Sequence, residues 1–480
     1  MSTTVVLSWR EGVTMAAAGD GALVVQGPRG RVSRRRVAPV LLDALRRFEP
    51  PGEDEDRLAE IVRGGGDGSL TRWYYYLERL SRRGLLCHCA HANGTRLSTL
   101  VVTSSAFVSR PARVVPGRRY VLSRFAYLGR TGGEAVVESP LAPARVILND
   151  GRAAALVGAL AAGATAEELA ERAGGLPAAA ATGVLALLLR AGLLGEVGAE
   201  EDAALQTWEF HDLLFHARSR TGRSDAPHGA TYRLADRLAP PAALKPAPAG
   251  ETHELYRPDL ARLEREDPPL ARVQEQRRSA HDFDADHPIT DRQLGEFLFR
   301  VARVKDCWQT EVTTDRGPVR MDFASRPYPA GGSLYELELY AAVNRCAGLR
   351  PGLYYYDALR HRLTRLCGRT AEVGGLLRDA AGSTAIPEDN LQVLVILAAR
   401  FARVAWKYES IAYALTLKHV GVVFQTMYLA ATAMGLGPRA VGCGDADLFA
   451  RAAGTDYCAE TSVGEFLLGS QRDGPTGLAR

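Results

Sequence analysis

Two stretches of this chain repeat the same order of features, and that repetition limits the fold more than any other property of the sequence. LSWREGVTM at 7–15 is followed by GALVVQGP, a helical pattern and RRGLLCH at 82–88; YVLSRFAYL at 120–128 is followed by EAVVESPL, a helical pattern and RAGLLGEV at 190–197. The offsets from Leu7 to Leu122 and from Gly84 to Gly192 agree roughly, so a duplicated module is the economical reading. Each copy runs from alternating, strand-like residues into helices with apolar residues three and four apart, and closes on a Gly-Leu-Leu entering a short strand. That order suits a small winged-helix domain. The rest of the chain then needs a core of its own.

The bulk numbers agree with several cores. A chain of 480 residues exceeds one ordinary domain, and 46% hydrophobic with 24% charged residues is globular composition. A net charge of +4 lacks the dense basic face of a dedicated nucleic-acid binder. The local exception, RGRVSRRR at 29–36, reads as a solvated turn or wing before it reads as a clamp for an acidic peptide. Seven cysteines form an odd set, and the first residues lack the charged-then-apolar order of an export signal, so a reducing cytoplasm is expected. The apolar run LQVLVILAARFARVAW is interrupted by Arg400 and Arg403 before membrane-spanning length, which points to a soluble protein.

Three smaller features invite function and have plainer readings. Cys87, His88, Cys89 and His91 lie close together, but two cysteines one residue apart on a strand are expected not to face one ion easily, and no second ligand pair with finger-like spacing follows. No metal is expected. His211 and His216 sit in TWEFHDLLFHARSRTGR at 207–223 and are expected on the surface of an amphipathic helix. The stretch LAPPAALKPAPAG at 238–250 reads as a linker, since its prolines favour extended backbone and its alanines offer little to bury.

Chemistry concentrates behind that stretch, in three segments. RRSAHDF at 277–283 places two guanidiniums and a hydroxyl within three residues, a set able to make charge-assisted hydrogen bonds to a phosphate, and Thr290 is an N-cap for the apolar helix after it. RPYPAGGSLYELELYAAVNRCAGLRPGLYYYD at 326–357 joins a proline and paired glycines, which let backbone amides approach a flat ligand, to sheet at Val343 and at Tyr354–Tyr356. The segment 406–454 opens WKYESIAYALTLKHVGV, a long helix with Ala412, Leu415, His419 and Val422 on one side, and ends in the small-residue loop AVGCGD.

Together, RPYPAGG, the WKYE and IAYAL runs, LKHVGV, AVGCGD and the final ETSVGEFLLG resemble the nitroreductase-like FMN domain over about 271–470. More narrowly they resemble the azoline dehydrogenases of streptolysin-type and cyanobactin biosynthesis, and the front copies resemble the leader-recognition winged helices that bind a peptide as an added strand. The fold implied is α+β: a winged-helix peptide-recognition-like domain at 1–98, a second at 118–200, a helical segment and linker at 201–270, and an FMN dehydrogenase domain at 271–480. The resemblance implies that Arg277, Arg278, Ser279 and His281 bind the cofactor phosphate and pyrimidine side. His281 stands where Lys or Arg is usual, a departure that changes the strength and pH dependence of that contact. Pro329, Ala330, Gly331, Gly332 and Ser333 match the turn that approaches the flavin from the neighbouring subunit of a homodimer. Val441, Gly442 and Cys443 match the loop whose amides lie against flavin N5. Lys407 and Tyr408 match the catalytic pair. Ile411 and Ala414 stand near where the streptolysin-type motif carries arginines, which follows the cyanobactin-oxidase pattern.

The resemblance therefore implies FMN as cofactor, an azoline-containing precursor peptide as substrate, a cyclodehydratase as a partner enzyme, and oxidation of thiazoline or oxazoline to thiazole or oxazole. Removing a Cα proton needs a base, and a desolvated lysine whose pKa falls towards neutrality meets that need. Two alternatives remain from the sequence: an NAD(P)H oxidoreductase acting on small acceptors, and a non-catalytic leader-binding scaffold.

Overall fold

The computed structural model describes residues 5–17, 21–28, 30–108 and 112–471. It divides into two compact units, 1–226 and 227–480. In the first unit both copies of the repeat form the same series. A strand (Val5–Trp9, then Tyr120–Leu122) leads into a three-stranded meander, three helices and a returning strand (Leu86–Ala92, then Leu194–Glu196). The first and last strands of each copy pair antiparallel, with Leu7 opposite His88 and Leu122 opposite Leu194. The repeated Gly-Leu-Leu has a local cause. Gly192 caps the helix Ala178–Ala191 in the left-handed region, which glycine enters without a Cβ penalty, and the leucines then turn into the sheet.

The copies differ in what their meanders join. Thr95–Val102 pairs with Leu86–Ala92 on one side and with Ala144–Leu148 of the second copy on the other, so both modules share one seven-stranded antiparallel sheet. The meander of the first copy stays apart as a three-stranded sheet. Of the basic run, Arg29 lies outside the described residues, and Gly30–Arg34 form the last strand of that meander. Cys87 and Cys89 require a correction: residues i and i+2 of a strand point to the same side, and their sulfurs lie 3.8 Å apart. That contact pulls the Cys89 thiol down to about 7. His211 and His216 lie on the exposed side of the helix Phe210–Arg218.

The second unit is built on strands β1 (Glu251–Glu254), β2 (Leu337–Val343), β3 (Gly352–Asp357), β4 (Arg362–Cys367), β5 (Val393–Arg400), β6 (Leu436–Val441) and β7 (Glu460–Ser470). Their spatial order is β1-β4-β3-β2-β5-β7-β6, with every neighbour antiparallel. Both faces are covered. Leu337, Leu339, Ala341, Val393, Val395 and Leu397 share a core with the helices Asp291–Ala302 and Ala412–Ala433, whereas Tyr340, Ala342, Leu394 and Ile396 pack on the other face against Ala371–Thr384. Burial on two sides explains why β5 is apolar at consecutive positions. Among the described residues no helix is long and apolar enough to cross a membrane.

Local signals set the helix starts. Thr290 caps Asp291–Ala302 in a reciprocal box with Gln293. The long helix begins at Ala412, and its buried side runs through Thr416, His419, Val420, Val423, Met427 and Ala431. The expected stripe through Val422 is therefore displaced by one residue. The proline-rich stretch 238–250 is tied down within this unit. Its carbonyls at Leu238, Pro241, Ala242 and Ala243 accept hydrogen bonds from Trp406, Arg403 and, for the last two, Arg400.

Candidate active site

Lys407 follows the short helix Phe401–Ala405, and Tyr408 opens a two-residue strand paired with Gly229–Ala230. The turn is anchored from beneath. Trp406 is buried with its indole N–H on the Leu238 carbonyl, and the buried Arg403 guanidinium donates to the carbonyls of Leu334, Pro241 and Asp322. Lys407 Nζ lies 5.3 Å from the centre of the Tyr408 ring and 5.9 Å from that of Tyr232, and makes no ion pair with a described carboxylate. Desolvation, and then the Arg403 charge, hold its pKa below the ordinary lysine range. Desolvation alone pushes Tyr408 up.

The glycine turn meets this pair directly. Gly332 has φ of +63°, and a Cβ placed there would stand 2.8 Å from Lys407 Nζ and 2.9 Å from Tyr408 Oη. The left-handed backbone favours glycine, and a Cβ there would push the Lys407 amine and the Tyr408 hydroxyl aside. Gly331 N–H donates to His419 Nε2 at 2.7 Å, so Nε2 is an acceptor; the imidazole proton then sits on Nδ1, which donates to Glu336 Oε1 at 2.7 Å. Glu336 is fully buried. Pro329 is exposed beside the turn, Ala330 packs on the core, and the Ser333 N–H closes the turn on the Ala330 carbonyl.

Arg277, Arg278, Ser279 and His281 form a second cluster. The segment lies along β6, with Ala280 N–H on the Pro438 carbonyl. Ser279 Oγ is 2.8 Å from Tyr428 Oη, which accepts the Ala440 N–H, and Arg277 stacks 5.3 Å above the Tyr428 ring. With Tyr428 donating to Ser279, the serine proton is free for an anion. Arg439 donates to the Ala280 carbonyl at 3.1 Å and lies 3.2 Å from His281 Nδ1. Arg439 thus brings a permanent cation to the place where His281 replaces one. Among the described residues Arg277, Arg278 and Arg439 have no carboxylate partner. Three uncompensated guanidiniums beside a free hydroxyl fit a phosphate.

Val441, Gly442 and Cys443 leave the end of β6 as the loop expected from the glycines. They line an open cavity of about 380 Å³ with Phe424, Gly444, Ser462, Val463, Gly464 and Glu465. Cys443 Sγ lies 3.0 Å from Ser383 Oγ. A Cβ at Gly444 would fall 2.3 Å from the Glu465 carboxyl, whose pKa burial raises. The long helix links these groups: His419 holds the glycine turn, Phe424 lines the cavity and Tyr428 holds Ser279. His419 and Tyr428 are about 14 Å apart along the axis at 1.5 Å per residue. The guanidiniums and Ser279 fit the phosphate of a cofactor, and the loop at the end of β6 adds an open cavity lined by small residues. Arg439, Tyr428, Glu336, His419 and Tyr232 were not read from the sequence as site residues. His419 lies within LKHVGV, Glu336 follows RPYPAGG and Arg439 adjoins AVGCGD, whereas Tyr428 and Tyr232 lie in none of the recognised motifs.

The comparisons follow the same division of the chain. Over 193 residues it is 31% identical to a protein of Methanocaldococcus jannaschii named as a nitroreductase, covering 40% of this chain and 85% of that protein. The chain belongs to the nitroreductase family. The nitroreductase family model matches residues 275–469, the model of the cyanobactin oxidase ThcOx matches 120–225, and that of the ThcOx helix-turn-helix domain matches 1–109. Among solved structures, a nitroreductase-type protein of Anabaena variabilis is 20% identical with a TM-score of 0.36; the match covers 53% of this chain and 45% of that one. The Escherichia coli microcin synthetase McbBCD complex with truncated pro-MccB17 bound is 17% identical with a TM-score of 0.33, covering 57% and 99%. This nitroreductase-family chain is an oxidoreductase of mixed α+β fold, with the helix-turn-helix domain in front, then the ThcOx region, then the nitroreductase domain.

Proposed function

We propose that the protein is an FMN-dependent peptide dehydrogenase that oxidises thiazoline or oxazoline rings of a ribosomally made peptide to thiazole or oxazole. The observation that carries this reading is the convergence of Lys407 Nζ and Tyr408 Oη on Gly332, the one glycine of the turn that a side chain would block. A base and a hydroxyl gathered where the backbone is bare suit proton removal from a flat ring. The front modules, matched to the cyanobactin-oxidase models, suit recognition of a precursor peptide. A cyclodehydratase is the partner that would supply the azoline.

FMN, when bound, supplies the hydride acceptor. Arg277, Arg278, Ser279 and Arg439 would hold its phosphate, and the amides of Val441–Cys443 would be donors to its ring. Lys407 takes the Cα proton in its neutral form, which its lowered pKa makes more available at moderate pH. Tyr408 keeps its proton and orients the ring nitrogen or relays the proton outward. In the homodimer the glycine turn, Lys407 and Tyr408 come from one chain, since they pack together within it.

The test is an anaerobic spectrum of the purified protein mixed with an azoline-containing peptide. The oxidised-flavin band is expected to bleach, and Lys407→Ala is expected to stop the bleaching. Protein without flavin, or a Lys407→Ala variant that oxidises azoline at the normal rate, would sink the reading.

A further inference from the structure

The segment 227–235 lies between the residues matched by the ThcOx and nitroreductase models, which end at 225 and begin at 275. It is nonetheless tied to the Lys407 turn. Gly229 and Ala230 pair with Glu409 and Tyr408, Thr231 Oγ1 donates to Glu409 Oε2 at 2.8 Å, and Ser410 Oγ donates to the Pro227 carbonyl at 2.7 Å. At the centre of this strap Tyr232 N–H donates to the Lys407 carbonyl at 3.1 Å. Tyr232 adopts φ of +50°, a region unfavourable for a bulky side chain that persists only where the surroundings impose it. The consequence of that backbone is the ring's position. It stands edge-to-face on Trp406 at 5.9 Å and faces Lys407 Nζ at 5.9 Å, so that Lys407 lies between Tyr232 and Tyr408.

We propose that Tyr232 is a positioning residue of this site, its ring shielding one flank of the Lys407 amine from water and holding Nζ over Gly332. The inference rests on the reading of Lys407 as the base and adds a residue to it. The titratable and charged groups around the amine are Tyr232 and Tyr408, both through their rings, and the Arg403 guanidinium, while Glu409 is taken up by Thr231. Desolvation is the first cause of the low lysine pKa, and the Tyr232 ring stands 5.9 Å from Nζ, where it would exclude water. Cation–π attraction to that ring works in the opposite direction, favouring the charged amine, but at 5.9 Å it is at the limit of its range.

The experiment is competitive acylation of Lys407 as a function of pH in the full-length flavoprotein, read by peptide mass spectrometry, with azoline turnover measured in parallel. Tyr232→Asn removes the ring while tolerating the left-handed backbone. It is expected to move the Lys407 limb to higher pH and to lower labelling near neutrality by about tenfold, the equivalent of one pKa unit. Tyr232→Phe, which keeps the ring, is expected to keep the wild-type limb. A double variant, Thr231→Val with Ser410→Ala, loosens the strap from outside and is expected to shift the limb the same way by less, which keeps the test alive should the Asn variant fail to fold. If the limb stays in place in the folded variants while only stability falls, Tyr232 is a packing residue and the inference is wrong. If the limb shifts as expected but the wild-type protein oxidises no azoline, the proposed function fails and the role of Tyr232 stands.

Discussion

His88 in the first unit and Lys407 in the second are both held below their ordinary pKa by desolvation, yet their surroundings assign them opposite parts. His88 is 1% exposed on a central strand, and its Nδ1 takes a hydrogen bond from Arg190, which is itself paired with Glu55. Burial and the Arg190 charge favour its neutral form. Lys407 is only partly buried, faces two aromatic rings with no ion-pair partner among the described residues, and stands against a backbone stripped of its Cβ. Partial burial beside a free approach makes a titratable group an actor, whereas complete burial with a fixed partner makes it structure.

The largest break in that comparison should come at the lysine. Lys407→Ala is expected to lower azoline oxidation by about 10² to 10⁴-fold, the usual worth of a positioned base, with flavin content unchanged. The pH profile sharpens the point. A base acts deprotonated, so the rate should rise with pH through the Lys407 pKa and then level off; because that pKa is lowered, the midpoint of the rise should fall below the ~10.4 of an ordinary lysine. A midpoint at or above that pH would place the proton acceptor elsewhere.

Next in size is the anion cluster. Arg277→Ala combined with Arg439→Gln is expected to weaken FMN binding by about tenfold to a hundredfold per lost contact, since a hydrogen bond to a charged group contributes about 1.5–3 kcal/mol. Fluorescence titration of the apoprotein with FMN measures it. Arg439→Gln alone distinguishes Arg439 from His281. If it leaves affinity unchanged, then His281, and not Arg439, completes the phosphate site.

How much of this was legible in the sequence depends on how far apart the partners lie. The repeat could be read because each copy pairs its own first and last strands, Leu7 with His88 and Leu122 with Leu194, from a pattern repeated whole. The pairing of Thr95–Val102 with Ala144–Leu148 could not, because no periodicity records which edge accepts a neighbour's strand. The Arg277–Ser279 motif was visible, but Arg439 takes its part only because Ala280 runs beside Pro438. The helix 412–433 was evident as a helix, but apolar residues on most sides left its phase undetermined, hence the shift from Val422 to Val423. The stretch 238–250 has the composition of a tether. Its order comes from Arg400, Arg403 and Trp406, donors about 160 residues away that satisfy its carbonyls.

The glycine turn should respond more mildly. His419→Phe removes the acceptor that fixes Gly331 N–H and leaves Glu336 buried without a partner. A fall in kcat of about tenfold is expected, the worth of one neutral hydrogen bond that positions the site, with the Lys407 limb unmoved. His419→Asn, which can still offer an acceptor, should recover part of the loss. An unchanged kcat in both would reduce the Glu336–His419 pair to packing.

The smallest effect belongs to His88 and runs through stability alone. Its folded pKa lies well below 6.5, so between that value and 6.5 the unfolded chain binds a proton that the folded chain refuses. Stability therefore rises with pH across that window and is lost as the solution is acidified below 6.5, by about 1.4 kcal/mol at one unit lower. Hydrogen exchange of the strand Leu86–Ala92 at pH 5.5 and 7.5, corrected for intrinsic rates, reads this locally. His88→Leu should flatten the dependence while azoline turnover stays as it was. The same acidification changes turnover through Lys407, and that response should persist in the His88 variant. If one substitution removed both pH responses, the division between a structural histidine and a reactive lysine would not hold.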